Sequence, residues 1–119
     1  MYNKINILGK TANASLMRHN VISQNIANND TPGYKRKDVK FEGVLQEALM
    51  SNNKLSEIDI NSITPQVIVD NSKLSYRLDG NNVNIDTEMT ELAKNQIKFN
   101  ILIDQISNNF SRIKTVLNK

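Results

Sequence analysis

The sequence predicts a mainly α-helical protein. Its N- and C-terminal helices should pair as an antiparallel coiled coil, with a short irregular or β-hairpin middle segment. Three observations carry this. Apolar residues recur at alternating four- and three-residue steps through the last third of the chain, and a weaker row with the same spacing runs through the first quarter. Between the rows the periodicity breaks, and Pro-Gly and Asp-Gly pairs punctuate the chain. At 119 residues, 39% hydrophobic and without tryptophan, the chain forms a single domain with a modest core. The expected division is a helix over 1–28, a connector with a short helix and an irregular or β segment over 29–84, and a second helix over 85–117.

The first helix should run from about residue 3 to 27. Its row is Ile5, Leu8, Ala12, Ser15, His19, Ile22 and Ile26, apolar at both ends and small or polar in the middle. Small residues at Ala12 and Ser15 let another helix come close. The helix should stop in "ANND", where an asparagine can take the left-handed conformation of a C-cap. His19, the only histidine, has no nucleophile beside it and no ligand at i+3 or i+4, so it reads as a helix-pairing residue.

The connector opens with "NIANNDTPGYKRKDVKFE" (25–42). In "TPGY" proline suits the second position of a type II turn, and glycine supplies the positive φ of the third. Tyr34 and Phe41 can anchor the following segment against a helix. The stretch Lys35, Arg36, Lys37 and Lys40 invites a nucleic-acid reading, with Tyr34 stacking on bases. Asp38 and Glu42 interrupt it and no binding motif surrounds it, so an exposed, partner-facing loop is preferred.

"FEGVLQEALM" (41–50) is patterned as a short amphipathic helix with Phe41, Val44, Leu45, Ala48 and Leu49 on one side. Residues 51–64 are polar, weakly patterned and expected to be mobile. "QVIVD" (66–70) and "SYRL" (75–78) are strand-like and close enough to form a small hairpin. "DGNN" (79–82) turns the chain into the last helix.

That helix, 85–117, carries Ile85, Met89, Leu92, Gln96, Phe99, Ile103, Ile106, Phe110, Ile113 and Leu117 at seam spacing, with no proline or glycine to interrupt it. Asn84 or Asp86 can cap its start. Glu88 and Glu91 lie in its first turns and Arg112, Lys114 and Lys119 towards its end, matching the helix dipole. Gln96, the one polar member, reads either as a buried register-setting group or as a position turned to water; the first is preferred. Leu102 and Val116 lie beside the seam, leaving apolar surface that two helices alone do not cover.

Charge is uneven: residues 1–40 carry seven basic and two acidic side chains, 41–86 three and seven, and 87–119 five and three. Such asymmetry suits head-to-tail contacts between copies or an acidic partner at one end, and equally a solvated polar surface with no specific role. The absence of cysteine excludes disulfides, thiolate metal sites and cysteine nucleophiles. The glycines at 9, 33, 43 and 80 are isolated and cradle no phosphate, and the carboxylates Glu57, Asp59 and Asp70 show no pairing pattern. No catalytic residue, cofactor, metal or small-molecule substrate is expected, so the chain should not be an enzyme. No apolar run approaches a membrane span, and the first twenty residues lack the apolar core of a cleaved signal.

The 25–42 string as a whole resembles the N-terminal signature of the bacterial flagellar axial proteins, the rod and hook family. The second stretch, "SYRLDGNNVNIDTEMTELAKNQIKFN" (75–100), is similar to the proximal-rod members of that family. One departure is Asn84, where the resemblance leads one to expect aspartate, and asparagine also caps a helix. The likeness covers roughly 1–49 and 75–119. It implies a structural subunit of the basal-body rod, placed outside the inner membrane and exported by the flagellar type III apparatus without a cleaved signal. Its implied partners are its own copies, other rod proteins and the junction between rod and membrane ring. On this reading Asn25, Ile26, Ala27, Asn28, Thr31, Pro32, Gly33 and Tyr34 form an assembly signature. The helix seam is Ile5, Leu8, Ile22, Ile26, Met89, Leu92, Phe99, Ile103, Ile106, Phe110, Ile113 and Leu117. The alternative, from another class, is a soluble coiled-coil adaptor or regulator that binds its partner through the seam.

Overall fold

In a computed structural model the described residues are 2–51, 63–70 and 78–118. Five elements follow in order: α1 (Tyr2–Ala27), β1 (Lys37–Lys40), α2 (Glu42–Ser51), β2 (Gln66–Val69) and α3 (Ile85–Leu117). The expected architecture is present. Helices α1 and α3 pack together, and a small antiparallel two-stranded ribbon lies in the chain between them.

The helix pair is antiparallel. Asn25 meets Glu88, Ser15 meets Asn95, and Ile5 shares a groove with Ile106. At 33 residues α3 is about 50 Å long, so the molecule is a rod of 64 × 28 × 16 Å. Its radius of gyration, 17.7 Å, exceeds the roughly 13.5 Å of a compact chain of this length.

Helix α1 uses two faces. Ala12, Ser15 and Ile22, with Leu8, His19 and Ile26 half-buried, lie along the expected row. A second row, Ile7, Ala14, Met17 and Val21, packs on Val39, Phe41, Ile63 and Leu45 and forms the apolar core. The core therefore sits on the side of α1 served by the connector. Phe41, 1% exposed, precedes α2, and its carbonyl accepts from Leu45 N at 2.9 Å. Ile63 is equally buried, so the polar stretch 51–64 ends in a core residue.

Three features depart from or add to the expectations. First, strand β2 pairs with β1, in register Lys37↔Val69 to Lys40↔Gln66, a partner the sequence did not suggest. Residues 75–77 lie outside the described residues, and Leu78 is in a turn. A two-stranded ribbon is marginal alone; here Val39 ties it to the core, which gives β1 a reason to pair. Second, α1 ends without a left-handed asparagine: among the described residues only Gly33 and Gly80 have positive φ. The carbonyls beyond the helix end take a side-chain donor instead. Third, Gln96 is exposed and bonds Asn100, whereas the buried polar residue of α3's middle is its neighbour Asn95. The predicted mobility of residues 52–62 falls outside the described residues.

Candidate assembly interface

The signature segment begins where α1 ends. Asn25 is fully buried and uses its whole amide. Its Oδ1 accepts from Lys37 N at 2.9 Å and Tyr34 Oη at 3.0 Å. Its Nδ2 donates to Lys37 O at 2.8 Å and Glu88 Oε2 at 3.2 Å. One side chain thus pins the strand, the tyrosine and the start of α3 to the end of α1. In the "TPGY" turn Tyr34 N donates to Thr31 O, and Gly33 has φ 74°, the geometry expected of a type II reversal.

The second motif locks onto the first. Asn81, fully buried, points its Nδ2 at the carbonyls of Asn28, Asn29 and Thr31, at 2.9, 3.1 and 2.9 Å. This is what satisfies the chain leaving α1. Asn82 Oδ1 accepts from Arg36 N at 2.7 Å, and its Nδ2 donates to Asp70 O. Gly33 N donates to Asp79 O at 2.7 Å, and Lys35 Nζ donates to Gly80 O. Gly80, with φ 81°, faces Gly33, and a Cβ on it would meet Gly33 Cα at 3.6 Å. Asn84 caps α3 by accepting from Asp86 N and Thr87 N.

Charge completes the node. Arg36 donates through Nε to Glu88 Oε1 at 2.7 Å and through NH1 to Asp70 Oδ2 at 2.5 Å. Burial disfavours the Arg36 charge, but hydrogen bonds to Glu88 and Asp70 outweigh it and raise its pKa. Burial, followed by the Glu88 carboxylate, pushes the Tyr34 hydroxyl up. At the edge of the node Arg18 grips Glu42 with both NH groups, at 2.5 and 2.6 Å, and reaches Val39 O at 3.0 Å. Hydrogen bonding to Arg18 holds Glu42 down at about 2. The basic run is therefore turned inward at Lys35 and Arg36, which corrects the expectation of an exposed, partner-facing loop there and engages two of the four cations a phosphate grip would use, while Lys40 stays exposed.

The signature residues take different places. Asn25 is buried, Ile26, Asn28 and Tyr34 are half-buried, and Ala27, Thr31, Pro32 and Gly33 are exposed. Of the seam residues, Ile22 is buried, while Ile5, Leu8, Ile26, Leu92, Phe99, Ile106 and Ile113 are half-buried. Met89, Ile103, Phe110 and Leu117 are exposed. Helix α3 turns the row Glu88, Leu92, Asn95, Phe99, Leu102, Ile106, Asn109 and Ile113 inward instead, again at steps of four and three. Its middle holds a reciprocal polar pair, with Ser15 Oγ donating to Asn95 Oδ1 at 2.9 Å and Asn95 Nδ2 donating to Ser15 O at 2.7 Å. Residues 89, 103, 110 and 117 then form a second apolar row on the outside, flanked by exposed Ile97, Ile101 and Val116.

Arg36, Asn81, Asn82, Glu88 and Asn95 escaped the sequence reading as structural residues. The available signal was polarity at helix-pairing positions, Glu88 and Asn95 being seven apart, together with the clustering of asparagines in "DGNNVN".

An interlocked pair of segments at the end of a helical rod is a scaffold's geometry. A family profile described as flagella basal body rod protein matches residues 5–35, which span most of α1 and the reversal. The flagellar basal body rod protein FlgB of Bacillus subtilis (strain 168) is 40% identical over 110 residues, covering 85% of this chain and 82% of that one. The chain belongs to the FlgB family of flagellar basal body rod proteins. The FlgB of Buchnera aphidicola (subsp. Acyrthosiphon pisum, strain APS) is 32% identical over 133 residues, covering 98% of both chains, so that similarity takes in the node and both helices. The FlgB of Escherichia coli (strain K12) is 28% identical over 122 residues, 88% of this chain and 86% of that one. As a FlgB-family member the chain is a structural subunit of the flagellar basal body rod and not an enzyme. These relatives give the adaptor reading no support. No helix among the described residues is long and apolar enough to cross a membrane.

Proposed function

We propose that the subunit builds the proximal rod by packing α3's outer row against neighbouring copies and other rod proteins, while the node fixes the angle at which each connector meets the next subunit. The carrying observation is that α3 has two apolar rows and α1 occupies one. Met89 and Leu117, 56% and 78% exposed, are large apolar side chains open to solvent in the single subunit. Torque then passes through a helix pair stiffened at one end by hydrogen bonds and ion pairs. On this reading the chain meets the junction between rod and membrane ring outside the inner membrane, and reaches it through the flagellar type III apparatus with its N-terminus uncleaved.

Mass spectrometry of purified hook–basal bodies and of cytosol from the same cells tests the proposal. The expected result is this chain in the basal bodies with its N-terminal residues intact. Finding it only in the cytosol of swimming cells would overturn the proposal.

A further inference from the structure

The two ends of the rod differ in charge. The described residues 2–27 and 92–118, the shaft, carry seven basic side chains and one acidic. The described residues of 28–91, which hold the connector, the ribbon, α2 and the first turns of α3, carry four basic and nine acidic. With Ser15 level with Asn95, the antiparallel register brings Tyr2 beside about residue 108, and the last two turns of α3 reach past that point. They display Val116 and Leu117, 69% and 78% exposed, beside Arg112 and Lys114.

At the other end lies a groove of about 810 Å³ bounded by α1, β1 and the start of α3. Ile22 and Val39 contribute its apolar lining, and Asp38, Glu42, Glu88 and Glu91 its carboxylates. Arg18 and Arg36 also line it, but they are committed to Glu42 and to Glu88 with Asp70. Asp38 and Glu91 are held more loosely: Asp38 is 3.9 Å from Arg36, and Glu91 is 3.7 Å from the exposed Lys94. Lys98, at 3.8 Å from Glu42, is a second exposed cation on the rim. Exposed pairs of this kind exchange readily for a better-placed cation.

We infer that the groove receives the C-terminal turns of α3 from a second copy of this chain, Val116 and Leu117 entering beside Ile22 and Val39, and Arg112 and Lys114 meeting Asp38 and Glu91. This rests on the rod reading and adds the polarity of the contact. Each copy offers both halves, so the contact is heterologous and leaves one half open at each end, the condition for an open filament instead of a closed dimer. Opposite charge at the two ends selects head-to-tail stacking and disfavours head-to-head.

The chain has no cysteine, so introduced thiols report directly. Thr87 and Val116 are exposed, one on the groove and one on the entering turns. Under mild oxidation, a mixture of Thr87→Cys and Val116→Cys chains should give a covalent dimer well above either variant alone. The double variant should give a ladder. The yield should fall about tenfold in Arg112→Glu/Lys114→Glu chains and recover when the receiving chain carries Glu91→Lys. No excess dimer in the mixture, an Ile101→Cys chain that self-links as readily, or indifference to charge reversal would each overturn the inference. The rod reading fails separately: a ladder from purified protein that is absent from basal bodies sinks only that reading, whereas incorporation into basal bodies without the 87–116 link sinks only this contact.

Discussion

Asn25 shows how much one buried amide can hold. Its four hydrogen bonds use every donor and acceptor an asparagine has. Asn25→Ala should cost about 2–3 kcal/mol by leaving Lys37 and Tyr34 groups unpaired. Asn25→Asp should cost more, because it removes both donors and sets a carboxylate against Glu88; a urea midpoint for Asn25→Asp equal to that of Asn25→Ala would contradict this. Arg36→Met strands Glu88, 1% exposed, and should cost about 3–5 kcal/mol, whereas Arg36→Met with Glu88→Met should recover most of it. Glu42 sets the acid response. Its pKa falls from 4.5 unfolded to about 2 folded, so its contribution is complete above pH 4.5 and disappears as pH falls towards 2. Because Glu42 is half exposed the effect is only about 1 kcal/mol. The Tm gap between the parent and Glu42→Gln should therefore be widest at neutral pH and close by about pH 2. The sequence revealed the turn at Thr31–Tyr34, because proline and glycine declare their backbone angles. It could not reveal the partners of Asn25 and Asn81, because an amide binds whatever the fold brings to it and leaves no periodic trace.

At the scale of elements, α3 was legible in extent and only half legible in orientation. Its seam spacing and its cap at Asn84 were both readable. However, two overlapping rows share Leu92, Phe99, Ile106 and Ile113, and the more apolar row is not the one turned to α1. Polar Glu88 and Asn95 face inward because α1 presents Asn25 and Ser15 in matching places. The second face of α1 escaped notice because its residues, Ile7, Ala14, Met17 and Val21, touch segments distant in sequence. A pair of variants separates α3's two rows. Ile106→Asp places a charge against α1 and should lower subunit stability by several kcal/mol, on the order of 3. Met89→Asp should change it by no more than about 0.5 kcal/mol yet abolish swimming, since Met89 is 56% exposed in the single subunit. Equal melting curves for the two variants, or normal motility in Met89→Asp, would contradict the assignment of the rows.

For the whole molecule, a thin rod with an apolar core at one side and a hydrogen-bonded node at one end suits a part that works by being packed. Its small core leaves little reserve, so surface in the subunit becomes interior in the assembly. Dilute subunits should consequently melt well below those in intact basal bodies, a difference that differential scanning of the two preparations measures.

The node also dictates when the chain can fold. The bonds that join its two motifs link residues 45 to 63 positions apart, and the Ser15–Asn95 pair spans 80. During synthesis α1 therefore emerges long before its partners, and Asn81, which gathers the carbonyls of Asn28, Asn29 and Thr31, comes later still. Such high contact order makes folding slow and leaves the polypeptide open until its final third is present. A chain cut after Leu78 should accordingly show no cooperative unfolding transition, and the full chain should refold more slowly than simple helical bundles of its size.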